Sequence, residues 1–143
     1  MKIVVLGAGM VGSAIARDLA AEERFAVTAL DRDAQALHKL YEASGGRVQG
    51  MQADLAESAS FLPAIAGCDL VISAVPGFMG SQVLRAVIEA GKNVVDISFS
   101  PEDPFLLDDL ARARGVTAVV DCGVAPGLCN IQAGYVYEQL ERT

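Results

Sequence analysis

The chain has little of what several functional classes require. Only one of its 143 residues is histidine and only three are cysteine. Cys68, Cys122 and Cys129 show neither CxxC nor metal-ligand spacing, so no metal site is expected. Their odd, sparse number suits a reducing compartment, and the expected location is the cytoplasm. Cys122 has no histidine near it in sequence to activate it and reads as a buried, inert thiol. His38, placed in the middle of a helix, is given no catalytic role. Basic residues are scarce, 11 Lys and Arg against 18 Asp and Glu, a net charge of −7. Such a surface repels nucleic acid and anionic membranes, and neither is an expected partner. No apolar run reaches the roughly 18 residues that cross a bilayer. The N-terminal residues read as a strand that runs directly into a glycine turn, unlike a secretion signal. There is no internal repeat and no low-complexity linker.

What is present is an alternation of apolar strands and amphipathic helices in a chain that is 52% hydrophobic. Strands are expected at about residues 2–6, 25–30, 47–52, 70–74, 93–97 and 116–120. The first helix runs from about Met10 to Glu22, on a buried stripe of Val11, Ala14, Ile15 and Leu19. The second starts at the cap Asp33, buries Leu37, Leu40 and Tyr41, and ends at Gly45-Gly46. The third opens with Asp54-Leu55-Ala56-Glu57, a capping-box-like arrangement, and closes near Gly67. The fourth covers about Gly80–Ala90 on Val83, Leu84, Val87 and Ile88. The fifth is expected to open at Ser100-Pro101-Glu102-Asp103 and stop at Gly115. A last helix begins after Pro126-Gly127 and runs toward Glu141. The third strand is the least apolar and therefore an edge.

Helical crossovers between strands impose a parallel sheet covered on both faces. The expected fold is α/β, a doubly wound, three-layer αβα Rossmann domain over residues 1–143, with six parallel strands in the order 3-2-1-4-5-6. The chain leaves almost nothing over for a second domain, and a catalytic or substrate domain is expected to be missing by truncation.

Gly7-Ala8-Gly9-Met10-Val11-Gly12 follows the first strand at once, and Asp31 closes the second. This is the G-x-G-x-x-G pattern in its required strand–turn–helix–strand–acid context. Gly7 permits the tight turn, Gly9 lets backbone approach a pyrophosphate, and Gly12 lets the helix pack against the sheet. The amides of Met10 and Val11 open the helix, whose N-terminus attracts the phosphates. Asp31 can accept from both ribose hydroxyls of an adenosine and repel a 2′-phosphate, which points to NAD. The neighbouring Arg32 leaves NADP possible.

Ligands of such sheets sit beyond the carboxyl ends of the strands. Asp54 and Leu55 are expected beside the adenine, although Asp54 also suits a helix cap. Ala74, Val75 and Pro76 follow the fourth strand, where small residues let a second ribose pass. Asp96 and Asp121 end the fifth and sixth strands near the expected nicotinamide. Each is a candidate catalytic group for orienting an amine or transferring a proton, or simply a solvated strand-end acid.

Three segments carry a family resemblance: KIVVLGAGMVGSAIARDL at 2–19, NVVDIS at 93–98 and VDCGVAPGLCNIQAGY at 120–135. With them the chain resembles the N-terminal domain of the saccharopine dehydrogenase-like family, lysine 6-dehydrogenases in particular. The D-x-G-x-x-P-G-x-x-N core of the last segment is the most specific part. The resemblance implies an NAD(P)-dependent oxidoreductase acting on a CH–NH group of an amino acid or amine, with Gly7, Gly9, Gly12 and Asp31 holding the dinucleotide. It further implies that Asp121, Gly123, Pro126, Gly127 and Asn130 form the loop to a catalytic half, without which this stretch alone is expected to be inactive. A non-enzymatic NAD-sensing domain shares the glycine turn but has no need of the 120–135 segment. A methyltransferase has no need of Gly12. Apolar surface around Phe99, Phe105 and 124–131 is expected to drive homo-oligomer formation.

Overall fold

The computed structural model describes residues 1–140. It is one parallel sheet of six strands in the order β3-β2-β1-β4-β5-β6, with helices on both faces. The strands are β1 (Lys2–Leu6), β2 (Ala26–Asp31), β3 (Val48–Gln52), β4 (Leu70–Ser73), β5 (Val94–Asp96) and β6 (Ala118–Val119). The helices are α1 (Met10–Leu19), α2 (Ala34–Ala43), α3 (Ser58–Ile65), α4 (Gly77–Glu89), α5 (Asp108–Arg114) and α6 (Leu128–Leu140).

The continuous apolar run of β1 is explained by burial on both sides. Ile3 and Val5 join the core under α1 and α2, with Ala16, Val27, Leu37, Leu40 and Val48. Val4 and Leu6 join the opposite core, with Phe61, Ile65, Val83, Val87 and Val94. A central parallel strand has no solvent face, so its side chains need not alternate in polarity. β3 lies at the edge, as its polar composition requires.

Several boundaries move for identifiable reasons. α3 starts at Ser58, not at Asp54; the Asp54 carboxylate instead closes a turn by accepting from Ala56 N at 3.0 Å, and Asp54 N donates to Ser60 Oγ at 3.0 Å. α4 starts at Gly77, directly after Pro76, three residues before the expected Gly80. Ser100 is not a helix cap: its hydroxyl donates to Glu102 at 2.6 Å, and Asp103 caps a 3-10 turn (Pro104–Leu107) that leads into α5. β6 shortens to two residues because Val116 N bonds to Ala111 O in the helix stop and Thr117 N is taken by the Asn93 side chain at 2.8 Å. Tyr41, expected in the core, is exposed and lies against Gly46. Val11, also expected to be buried, is exposed at the mouth of the glycine turn. No helix among the described residues is long and apolar enough to cross a membrane.

Candidate dinucleotide site

The turn after β1 is held from three directions. Gly7 has φ +102°, and Gly7 N donates to Leu30 O of β2 at 2.8 Å. A Cβ on Gly12 would stand 2.0 Å from Gly7 O and 3.3 Å from the Ala74 side chain. The first turn of α1 therefore lies directly on the turn and on the end of β4, a contact open to glycine alone. Gly9 differs. No atom among the described residues beyond its chain neighbours lies within 4 Å of its Cβ direction. As the N-cap of α1 it has no side-chain cap, so the first amides of the helix are open to a ligand.

Asp31 ends β2 beside this turn. Its Oδ2 accepts from Ala8 N at 2.7 Å and its Oδ1 from Asp33 N at 2.9 Å. Capping of α2 belongs to Asp33, whose carboxylate accepts from Gln35 N and Ala36 N. Asp31 is thus free of that duty and locked at the mouth of the glycine turn, and each of its oxygens can accept further hydrogen bonds. Gln52 donates to Arg32 O at 2.9 Å and fixes the backbone of the exposed Arg32.

A groove of about 600 Å³ runs along the carboxyl ends of the strands. Gly7, Gly9, Met10, Val11, Gly12, Asp31, Arg32, Asp54, Leu55, Ala74, Val75 and Pro76 all line it. Ile97 and Ser98, expected at the ligand edge of the sheet as the end of the fifth strand, complete its walls together with Ala56, Phe78, Met79 and Phe99, which the sequence reading missed. Phe78 and Met79 were hidden by the late start assigned to α4; Phe99 follows the end of β5 and was legible from the strand-end rule alone. The volume is within the range of small-molecule sites. An apolar wall at one end and a glycine turn with a fixed carboxylate at the other fit a nicotinamide dinucleotide.

Asp96 and Asp121 do not line this groove. They share a separate cavity of about 20 Å³ with Gly80, Ser98, Ser100 and Glu102. Asp121 is exposed, with φ +57°. Asp96 is only 3% exposed, so it is not a solvated strand-end acid. Its Oδ2 accepts from Ser98 Oγ at 2.6 Å. Its Oδ1 has no hydrogen-bond partner among the described residues, nor has Oγ of Ser73, the residue in register with it on β4. Burial pushes the Asp96 carboxyl above the usual carboxylate range; the nearby hydroxyls of Ser73 and Ser98 and the Ser98 backbone oppose this, while the charge of Asp121 adds to it. A raised acid favours the folded state while it stays protonated. Its contribution is full below the ordinary carboxylate pKa and is lost as pH rises through the folded value. Asp96→Asn should therefore gain stability relative to the parent as pH rises from the ordinary carboxylate pKa, about 4, to neutrality. Urea unfolding of both proteins across that range checks this, with Asp121 and Glu102, the other acids of the cavity, left intact. A difference independent of pH would contradict it.

The loop 120–127 explains its own motif. Gly127, at φ +123°, packs so tightly that a Cβ would stand 2.2 Å from Gly123 O and 2.6 Å from Asp121 O. Asn130 accepts from Gly127 N at 3.2 Å and holds the loop to the start of α6. The Ala125–Pro126 bond is cis. Cys122, expected to be buried, is exposed, because this loop has left the sheet and no element among the described residues covers it. Its backbone N–H donates to Asp96 O at 3.2 Å. None of the residues of α6 is buried. His38 is exposed on α2, 3.5 Å from Glu42. No group of acids, histidines and cysteines that could hold a metal is formed among the described residues.

The fold and the glycine turn define a Rossmann-type nicotinamide dinucleotide domain. Residues 3–119 match the family model described as saccharopine dehydrogenase NADP binding domain, and the chain belongs to that family. A saccharopine dehydrogenase [NADP(+), L-glutamate-forming] of Pyricularia oryzae is 26% identical over 138 residues, which is 96% of this chain and 30% of that protein. The apo structure of the L-Glu-forming saccharopine dehydrogenase from Saccharomyces cerevisiae superposes with a TM-score of 0.79 at 23% identity, over 99% of this chain and 31% of the other. GenD2 from gentamicin A biosynthesis, solved in complex with NAD, gives a TM-score of 0.65 at 25% identity, over 84% and 34%. The chain thus spans about a third of the length of these relatives.

Proposed function

We propose that this domain holds NAD for a dehydrogenase that oxidises a C–N bond of lysine or a related amino acid or amine, in the manner of lysine 6-dehydrogenase. The observation that carries the cofactor choice is the Asp31 carboxylate, tied 2.7 Å from Ala8 N at the mouth of the glycine turn. Held there by two backbone amides, it accepts from a ribose diol and opposes a 2′-phosphate, although the family description names NADP. The amides at the start of α1 hold the diphosphate, and Asp54 and Leu55 flank the adenine. Ala74–Pro76 and Ile97–Phe99 wall the nicotinamide end and exclude water from it. Bound nicotinamide supplies the hydride chemistry. Asp121, exposed beside that end, is the carboxylate for orienting an amine. Substrate contacts come from a second domain, for which the remaining length of the relatives leaves room. The loop 121–130 is the link to it, and the free, exposed Cys122 and Cys129 fit a reducing cytoplasm.

Calorimetry with NAD and NADP tests the cofactor claim. NAD is expected to bind the more tightly, and failure to bind either at millimolar concentration would remove it. For the reaction, lysine-, saccharopine- or polyamine-dependent reduction of NAD by the domain joined to a substrate domain is the expected result, and its absence with all three amines would remove the substrate assignment.

Phe99, Phe105, Val124 and Ile131 are 71–79% exposed, an amount of apolar surface that favours association. The isolated domain is expected to be a dimer or larger in light scattering. A monomer at high concentration would contradict this.

A further inference from the structure

We propose that Asp96 is a positioning residue which, through Ser98, fixes the Ile97–Phe99 segment as the wall of the nicotinamide end of the groove. This rests on the dinucleotide reading above.

Three observations converge on the segment. Ser98 lines both the groove and the small cavity behind it, whereas Asp96 lines only the cavity. The 2.6 Å bond from Ser98 Oγ to Asp96 Oδ2 joins two buried side chains, so water does not compete for it. The segment also lies flat on the first turn of α4. A Cβ on Gly77 would stand 2.1 Å from Phe99 O, and one on Gly80 2.3 Å from Ser98 Oγ. Ser98 Oγ therefore meets both Gly80 and the buried carboxyl, while Phe99 O lies against Gly77.

The backbone of Asp96 and its neighbour extends the same anchorage. Ile97 N donates to Ser73 O of β4 at 3.0 Å, and Asp96 O receives Cys122 N at 3.2 Å. Asp96 and Ile97 together thus connect the end of β4, the groove wall and the loop that carries Asp121. The glycines set how near the wall approaches α4; the Ser98–Asp96 bond sets where the wall stops along it. Loss of that bond frees the wall at one end of the groove only. The adenosine end is built from β1, β2 and the loop after β3, and none of its described residues lines the cavity that holds Asp96.

The test compares two ligands on the same chain. NAD occupies the whole groove, whereas ADP reaches only its adenosine and diphosphate part. Ser98→Ala and Asp96→Ala are expected to weaken NAD about tenfold, as the loss of a buried hydrogen bond allows, with ADP affinity unchanged within about twofold. Asp96→Asn, whose amide oxygen still accepts from Ser98, is expected to keep NAD affinity within about twofold of the parent. Equal losses of NAD and ADP affinity would show a general structural role and overturn the proposal, as would unchanged NAD affinity in Ser98→Ala. A parent protein that binds neither ligand would instead overturn the dinucleotide reading itself, and this proposal with it.

Discussion

Gly9→Ala is expected to abolish dinucleotide binding, by about a hundredfold or more, while leaving thermal stability nearly unchanged; Gly12→Ala is expected to damage both. The contrast follows from what each new methyl would meet. At Gly9, which lines the groove, it meets no described atom within 4 Å beyond its chain neighbours, and it would stand where the proposed diphosphate approaches the α1 amides. Its φ of −68° is open to alanine, so the fold bears the change without strain. At Gly12 the methyl would stand 2.0 Å from Gly7 O, a backbone atom that cannot swing aside. α1 must then lift from the turn and from the end of β4. Overpacking of this kind costs about 1–3 kcal/mol. For a domain of this size that lowers the melting temperature by several degrees, which thermal denaturation resolves. Calorimetry with NAD supplies the other half. Normal NAD affinity in Gly9→Ala would place the diphosphate elsewhere.

The second large effect concerns Asp31. Asp31→Ser should lower NAD affinity about a hundredfold and bring NADP affinity level with it or above. Two charge-assisted hydrogen bonds to a ribose diol contribute about 1.5–3 kcal/mol each, and a tenfold change is about 1.4 kcal/mol. Losing both accounts for the fall, even after some compensation by water. Repulsion of a 2′-phosphate disappears at the same time, and Arg32, with its backbone held by Gln52, is left as a cation beside the ribose. Titration with both dinucleotides checks the reversal. The substitution also strips acceptors from Ala8 N and Asp33 N, so a stability loss of about 1–2 kcal/mol is expected alongside. A variant that loses stability but keeps the NAD preference would show that Asp31 serves the turn and not the ligand.

The glycine turn and Asp31 were legible because their signal is local. Gly7, Gly9 and Gly12 are spaced by the geometry of one turn, and Asp31 ends the strand hydrogen-bonded beside it. The part of the groove wall made by α4 was not. Phe78 and Met79 enter it because α4 begins at Gly77, and α4 can begin there because Gly77 lies against Phe99 O, 22 residues away. No pattern within either segment reports that contact. Asp54 and Ser100 show the same limit in capping. Each has the chemistry of a helix cap, but Asp54 closes a turn on Ala56 and Ser100 is engaged with Glu102. A cap is decided by competition among nearby donors and acceptors, several of which suit the role equally. Cys122 and Tyr41 failed for a different reason: an apolar side chain in a strand-like or helical pattern is buried only if some other element covers it.

The one-dimensional string of this protein determined the alternation of strands and helices, hence the parallel sheet and its order, and it placed the glycine turn between β1 and α1. These follow from periodicity, chain chirality and steric limits at glycine, all of which act over a few residues. Only the tertiary structure decided that Asp96 is enclosed behind the groove with one oxygen on Ser98, that Phe78 and Met79 join the wall, and that the loop of Asp121 and Cys122 stands open to solvent. Burial and hydrogen-bond partnership are properties of which segments meet, and such meetings are set by the packing of the whole sheet rather than by neighbours along the chain.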